Sequence, residues 1–579
     1  MKVNVDEILQ VSREKFGEKF KFRKGQLEAI VDILETFYGG EHNLYLLDAP
    51  TGSGKSCIAL MTAEMINRAH LKGYILASDL SLFDQYNRDI QRSFPDFGAI
   101  KGNDNYMCVV NNEKFSMGMC KINNTSYEDA EDLPCFTSCG YLYNRKRAIA
   151  APTSLLTYSY WLVQRCYVEP RMKAKSKGVP FAKRDFTVCD EAHKVTEIVQ
   201  NHFSPRIDTL VIEKLRKFDS FLKKNDFVNS ANIDLHRRRL EMLIASQDDQ
   251  STYSLLKDAE LIFLDYVKAG AGLADQMKDQ FIAGLMPVDW KIAMREYDMV
   301  KDIHCKLEDY NHIISETGID YMIKTGNEES AVFNCLDESY MMDKYFHQQA
   351  GFKLLMTATM GDPKDFLRVI GARGGRYRKI ENTFDFSSSP INYWPNHRMS
   401  FNEKEKNFPW LVSSIEKILD THAKESGIIH TGSYDLSKKI FENLRPDLRE
   451  RVHLYVDSKE KEKKMSNFHE AENSVIMGPS LLEGLDLKND ISRFQVFAKV
   501  PYPSLGDKFV RAKMKHSQRW YTWKTVTGIL QGTGRSIRDE KDWAITYFLD
   551  GCLSDLLRNS RNSFPKEFLE RIQLKKEEA

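Results

Sequence analysis

The chain has 579 residues, 42% hydrophobic and 28% charged, with a formal net charge of +1, a length that suggests roughly three or four domains with cores of their own. No apolar run approaches the ~18 residues that cross a bilayer. The N-terminal stretch Met1-Lys2-Val3-Asn4-Val5-Asp6-Glu7 is acidic where a signal core would be apolar, and near-neutral charge excludes nucleic-acid binding through a global field, leaving only local basic tracks. The expectation is a cytoplasmic, non-secreted protein with no membrane contact.

Residues 6–38 place apolar positions at helical spacing and stop at Gly39-Gly40. Within them, Phe22-Arg23-Lys24-Gly25-Gln26 suits either an adenine-reading amide with an aromatic packed on the ring or a plain surface turn. Asn43–Asp48 is a short apolar run expected as a buried parallel strand. It feeds Ala49-Pro50-Thr51-Gly52-Ser53-Gly54-Lys55-Ser56, and Cys57–Arg68 continues as a helix. Strand, glycine-rich loop and helix in that order form the setting of a P-loop. Backbone N–H groups of Gly52, Ser53 and Gly54 and the helix N-terminus would cradle phosphates. Lys55 would reach the β- and γ-phosphates and Ser56 would ligate Mg²⁺, so ATP and Mg²⁺ are the expected cofactors. Ala49 stands where the usual pattern begins with Gly. Gly73–Ser78 reads as a second strand, followed by a helix whose Asp84 to Arg88 face suits a DNA backbone or plain solvent.

Four of the ten cysteines, Cys108, Cys120, Cys135 and Cys139, fall within 32 residues, with eleven, fourteen and three residues between successive members. The absence of a C-x₂-C pair or a nearby His counts against the common structural zinc modules. Four thiolates on a loop-rich frame suit a [4Fe–4S] cluster; on spacing alone, zinc and unligated core thiols stay open. Lys101, Lys121, Arg145, Lys146 and Arg147, interleaved with Tyr106, Phe136, Tyr141 and Tyr143, suit single-stranded DNA by charge and stacking. The other six cysteines are scattered among apolar neighbours and read as small buried hydrophobes.

Ala148–Leu156 reads as a strand, and Tyr167–Arg184 as a basic loop, either solvated or tracking phosphates. Phe186–Cys189 is an apolar strand that ends in Asp190-Glu191-Ala192-His193. Asp190 suits the Mg²⁺ shell, Glu191 suits polarising the attacking water, and His193 suits sensing the γ-phosphate. From Lys194 to about Gln349 the pattern is helical, charged and poor in glycine, an insertion that includes Leu210–Lys224 and the solvated cluster His236-Arg237-Arg238-Arg239. Gly351–Thr359 is again strand-like. After Thr383–Asn396, strands at Gly427–His430, Ser474–Met477, Phe494–Val500 and Ala544–Leu549 alternate with helices and imply a second parallel sheet. Polar clusters mark this half at Thr431–Tyr434, Glu483–Asp486 and Gln531–Arg538. Arg535 and Arg538 share a helix face at their spacing of three and suit cis arginine fingers or a surface ion-pair network. Lys513, Lys515, Arg519, Trp520, Tyr521 and Trp523 suit core packing or a strand-binding wall.

This order of motifs resembles the superfamily 2 iron–sulfur helicases of the XPD/DinG group across nearly the whole chain. Lys101-Gly102-Asn103-Asp104-Asn105-Tyr106-Met107-Cys108 resembles the K-G-x-x-N-Y-x-C run leading into that group's cluster, with Asn103 where a base is common, and Cys135-x₃-Cys139-Gly140-Tyr141 resembles its end. The resemblance implies an α/β protein with two RecA-like parallel-sheet motor domains. The first would comprise residues 1–102, 148–193 and 351–380, and the second residues 381–579, with an iron–sulfur domain over 103–147 and a helical arch-like domain over 194–350. It implies an ATP-hydrolysing DNA helicase moving 5′-to-3′ on single-stranded DNA, acting as a monomer on forked duplex with RNA–DNA hybrid as a further substrate; a translocase that strips proteins or RNA is the alternative. Nucleotide-site roles then fall on Gln26, Gly52, Gly54, Lys55, Ser56, Asp190, Glu191, Gln531, Arg535 and Arg538, and cluster ligation on Cys108, Cys120, Cys135 and Cys139. Glu483, Gly484 and Asp486 would link the nucleotide cleft to the DNA path.

Overall fold

The computed structural model describes residues 3–575 except 123–124, 126, 128, 170–178, 228–232, 247–248, 274–287, 319–320, 383–385, 480, 482–488 and 535–541. Strands β1 (Leu44–Asp48), β2 (Gly73–Ala77), β3 (Gly98–Ala99), β4 (Thr153–Thr157) and β5 (Phe186–Cys189) belong to the first sheet. The chain then leaves it for β6 (Arg206–Asp208), β7 (Met322–Asn327) and β8 (Ser330–Cys335), and returns in β9 (Phe352–Thr357) and β10 (Arg376–Lys379). The order is β10-β1-β9-β5-β2-β4-β3, with every pairing parallel. Parallel strands need crossovers and are covered on both faces, and the apolar run of β1 shows it: Leu44 and Leu46 pack into one core while Tyr45 and Leu47 pack into the other.

The second sheet is built from β11 (Ile391–Tyr393), β12 (Gly427–His430), β13 (Val452–Leu454), β14 (Val475–Gly478), β15 (Phe494–Phe497), β16 (Ile545–Phe548) and β17 (Ile572–Leu574). Its order is β13-β14-β12-β15-β16-β11-β17, again all parallel. Two doubly covered parallel sheets make the α/β architecture expected from the alternating pattern. The strands absent from the sequence reading are short or exposed; β10 is Arg-Tyr-Arg-Lys on a sheet edge, where charge deters edge-to-edge pairing.

Three expectations need correction. The 6–38 run is two helices, Val5–Phe16 and Gln26–Gly39, parted where Gly17 and Gly25 take φ of +99° and +83°. The strand expected over 148–156 begins only at Thr153, because the preceding helix Gly140–Ala150 extends through Ala148 and Ile149. The insertion is not purely helical: helices Thr209–Lys224, Ile233–Ala245, Asp249–Ala269 and Val288–Thr317 accompany an antiparallel three-stranded sheet ordered β6-β8-β7. Its sequence hides the sheet because β7 turns polar after Met322 and Ile323, and the apolar residues of β8, Ala331, Val332 and Phe333, run consecutively rather than alternate. Among the described residues no helix is long and apolar enough to cross a membrane.

Candidate nucleotide site

The P-loop leaves β1, between β10 and β9 in the first sheet, and ends on the helix Lys55–Arg68. Gly52 and Gly54 adopt φ of +80° and +78°, a left-handed backbone that only glycine reaches without strain. A Cβ on Gly54 would stand 2.3 Å from Gln26 Nε2, so the loop also needs the missing side chain for space. Gln26 is buried under the loop: its Nε2 donates to the Ser53 carbonyl at 2.8 Å, and its Oε1 accepts from the Arg23 N–H at 2.8 Å. Arg23 donates through its guanidinium to the Gly52 carbonyl. The segment 23–26 is thus a brace for the cradle. Ser53 Oγ is buried with no hydrogen-bond partner among the described residues, an orphan that a phosphate oxygen would satisfy. Lys55 Nζ turns toward the Ala49 carbonyl at 3.4 Å.

Asp190 and Glu191 follow β5, two strands from β1. Asp190 is buried; Tyr86 donates its phenol to Asp190 Oδ2 at 2.9 Å, and the Glu191 N–H donates to Oδ1 at 2.8 Å. Burial pushes the Asp190 carboxyl up to about 6, with Lys55 opposing and Glu191 adding to the rise. A carboxyl so poised has a strong need for a cationic partner. Tyr86, on a helix face that the sequence suits to a DNA backbone or to solvent, is fully buried; its phenol is held neutral by burial and by Asp190. Glu191 itself sits at φ +50°, a strained conformation for a residue with a Cβ and one that clusters at functional sites.

The second domain closes this site through the helix Gln518–Thr533. Gln531 Nε2 lies 2.5 Å from His193 Nε2. Since the amide can only donate there, the ring proton belongs on Nδ1, which faces Thr357 Oγ1 at 2.9 Å and Glu191 Oε2 at 3.3 Å. Gln531, His193, Glu191 and Thr357 therefore form one chain from the second domain to the carboxylates and to the end of β9. A Cβ on Gly534 would meet Thr51 Oγ1 at 3.9 Å, so the Gln531–Gly534 segment lies against the P-loop. Trp523 Nε1 donates to the Met360 carbonyl at 2.8 Å, and Lys524 pairs with Glu197 at 3.0 Å. Arg535, Arg538, Glu483, Gly484 and Asp486 lie outside the described residues. Trp523 and Lys513 are 3% exposed, which settles those two for core packing over a strand-binding wall.

The four cysteines occupy turns and short helices. Cys120 and Cys139 lie in the main core of the first domain. Burial raises the Cys120 thiol, and the neighbouring Cys135, Cys139 and Cys108 sulfurs raise it further, so the four are within electrostatic reach of one another. Burial opposes ionisation of Cys108, but N–H groups of Asn111, Val110 and Met119 outweigh it and hold the thiol below its ordinary value. Leu142 and Tyr141 N–H groups likewise face Cys139, where burial prevails. Backbone donors around sulfur are the setting of a thiolate ligand, so the donor set fits an iron–sulfur cluster. Among the described residues, no three or more His, Cys, Asp or Glu side chains are already drawn together as a metal shell. Among the described residues no cysteine is joined to another in a disulfide.

Basic residues nearby are partly committed: Lys101 pairs with Asp84 at 2.6 Å, Lys146 with Glu131 at 2.6 Å, and Arg145 stacks on Tyr127 at 3.8 Å. Of the basic stretch 167–184, residues 170–178 lie outside the described residues. Arg184 is structural: its guanidinium donates to the Gly73, Ala148 and Ile149 carbonyls and to Ser154 Oγ, and lies over Tyr74. The Arg237–Arg239 cluster lies on a helix face with long pairs to Glu241 and Asp258 at 3.9 and 3.7 Å, the solvated reading.

Residues 19–217 match the type III restriction enzyme res subunit family, and residues 415–571 match the helicase C-terminal domain family. The chain is 19% identical over 618 aligned positions to the ATP-dependent DNA helicase YoaA of Escherichia coli (strain K12), with 92% of each chain covered. Among solved structures it is similar to an XPD helicase, at 16% identity and a TM-score of 0.59 over 96% of this chain and 100% of that one. It is also similar to S. tokodaii Xpd4, at 15% identity and a TM-score of 0.53 over 96% and 100%. These likenesses show the fold of the paired sheets, and the family matches fall on the two halves that meet at Gln531 and His193. Together the two family matches, the relative and the structural neighbours support a superfamily 2 helicase of the XPD/DinG type.

Proposed function

We propose that this ATP-dependent DNA helicase moves 5′-to-3′ along single-stranded DNA as a monomer and separates the duplex ahead of it, accepting RNA–DNA hybrid as well as DNA forks. The observation that carries the reading is the chain Gln531–His193–Glu191, which ties the second motor domain to the carboxylate beside the P-loop. Bound ATP and Mg²⁺ would supply a phosphoanhydride and the cation that neutralises its oxygens. The N–H groups of Gly52, Ser53 and Gly54 would hold the phosphates, Lys55 would neutralise the terminal oxygens, and Ser56 and Asp190 would hold the metal. Glu191 orients the attacking water, since phosphoryl transfer is governed by positioning and charge. Arg535 and Arg538 would complete the charge around the terminal phosphate. His193 reports the state of that site to Gln531, and so to the second domain, whose movement shifts the DNA strand.

Cys108, Cys120, Cys135 and Cys139 would hold a [4Fe–4S] cluster, which would tie together a segment otherwise held by turns. The insert over 194–350 would act as the arch over the DNA path, with Glu483, Gly484 and Asp486 linking that path to the cleft. Lys55→Ala tests the motor: the variant should melt like the parent and lose DNA-stimulated ATP hydrolysis, and unchanged turnover would contradict the assignment. Anaerobic purification with iron and sulfide assay tests the cluster; zinc without sulfide would remove it from the reading. ATP hydrolysis and protein displacement without strand separation on forked duplexes would favour a translocase.

A further inference from the structure

A cavity of about 380 Å³ lies where the two motor domains and the insert meet. One wall is the helix Val195–Phe203, one is the β7–β8 hairpin, and the third is the second domain's Lys508–His516 and Gln518–Thr533 helices. Three aromatic side chains line it, Phe509, Trp520 and Trp523. Both of its lysines are paired, Lys513 with Glu338 and Lys524 with Glu197 at 3.0 Å, while Asp507 accepts from the Val510 N–H at 3.1 Å. The cavity therefore offers no uncompensated cation for a phosphate.

It does offer one unmet polar group. Gln200 is 4% exposed and lines the cavity. Its Nε2 makes a long contact of 3.5 Å with Asn334 Oδ1, and its Oε1 has no hydrogen-bond partner among the described residues. Asn334 does not relieve it, because it turns its Oδ1 to Gln200 and its Nδ2 to Thr325 Oγ1, at 2.9 Å. A buried acceptor without a donor is costly, and the ligand that would satisfy it must bring an N–H or O–H into an aromatic space with no free cation. A flat heterocycle with an exocyclic amine or ring N–H has that chemistry, and the volume is in the range of small-ligand sites.

We propose that this cavity is a nucleobase pocket, taking one unstacked base against Phe509 and Trp520 with its N–H donated to Gln200 Oε1. The proposal rests on the helicase reading for the source of the base, a DNA strand held by the motor domains; a free nucleoside would present the same chemistry. His193 forms part of the same wall, so the occupant borders the residue that joins Gln531 to Glu191. The pocket thereby samples the strand at the point where the hydrolysis relay passes.

The test is an abasic scan. Oligodeoxynucleotides with one abasic site at successive positions are titrated against the full chain, against Gln200→Leu, and against Val510→Trp, which fills the cavity from its wall. The expected result is one position where the abasic site weakens wild-type binding about tenfold, the scale of one lost base stack. That penalty should shrink to about threefold in Gln200→Leu and vanish in Val510→Trp, with melting temperatures confirming that both variants fold. In a parallel arm, millimolar deoxycytidine is tested for a thermal shift. A shift lost in Val510→Trp, alongside a flat scan, assigns the pocket to free nucleosides. A flat scan with no nucleoside shift overturns the proposal, as does a penalty unchanged in Val510→Trp. Failure of any DNA to bind or to stimulate ATP hydrolysis instead overturns the helicase reading beneath it.

Discussion

Replacing Gly54 by alanine isolates the geometry of the phosphate cradle. At φ +78° an alanine carries about 1–2 kcal/mol of left-handed strain. Its Cβ would also overlap Gln26 Nε2 at 2.3 Å. Gln26 can retreat only by releasing the 2.8 Å bonds to Ser53 and Arg23, at about 1 kcal/mol each. The sum is about 3–4 kcal/mol against the cradle form of the loop, and a ligand that needs that form loses affinity by the same factor, more than about a hundredfold. In a Gln26→Ala background the overlap and both bonds are already gone, so Gly54→Ala should add only the strain, about tenfold. Calorimetric titration of a non-hydrolysable ATP analogue into the four proteins of this cycle measures the difference, expected to be about 2 kcal/mol. Equal effects of Gly54→Ala in both backgrounds would refute the idea that Gln26 braces the loop.

Gln531→Leu removes the donor to His193 Nε2 and should lower DNA-stimulated kcat at least about tenfold with little change in nucleotide affinity, read by steady-state hydrolysis beside analogue binding. Arg184→Ala should destabilise the first domain by about 2–4 kcal/mol, through lost hydrogen bonds and a buried stack on Tyr74, and leave the salt dependence of DNA binding unchanged. Cys120→Ser should abolish the visible absorbance and iron content of anaerobically purified protein, whereas unchanged iron would exclude it as a ligand. Burial pushes His202 down to about 4 from an ordinary value of 6.5. The unfolded chain thus binds the extra proton between those values, and stability at this site rises with pH from about 4 to 6.5. His202→Phe should relieve up to about 2 kcal/mol at pH 5 and almost nothing at pH 7.5, measurable by denaturant unfolding at the two pH values.

The central strands of both sheets were legible because β1, β5, β9, β12 and β14 are short apolar runs that end in polar loops, and parallel strands buried on both faces must read that way. The P-loop and the Asp190–His193 tetrad were legible for the same reason: each hangs on such a strand. The brace was only half legible. Gln26 stood out by its place before the loop, but its role under the Gly54 backbone depends on the segment 17–25 between the first two helices, where Gly25 at φ +83° starts the second helix. Tyr86 was misplaced because a tyrosine among Asp84, Gln85, Asn87 and Arg88 looks like a surface residue; only the parallel pairing of β2 with β5 puts its helix over Asp190. The contact between Gln531 and His193 spans 338 positions, and no local pattern can announce it. The β6–β8 sheet escaped because its apolar residues do not alternate: Ala331, Val332 and Phe333 are consecutive in β8, and β7 is polar after Ile323.

If ATP hydrolysis at Lys55, Asp190 and Glu191 drives directional separation of DNA strands, strand displacement on two forks that differ only in carrying a 5′ or a 3′ single-stranded tail, with wild-type protein and Glu191→Gln side by side, should reveal it. ATP-dependent displacement of the 5′-tailed duplex by the wild type is expected, and none by Glu191→Gln. Displacement confined to the 3′-tailed duplex, or equal displacement by Glu191→Gln, would contradict it.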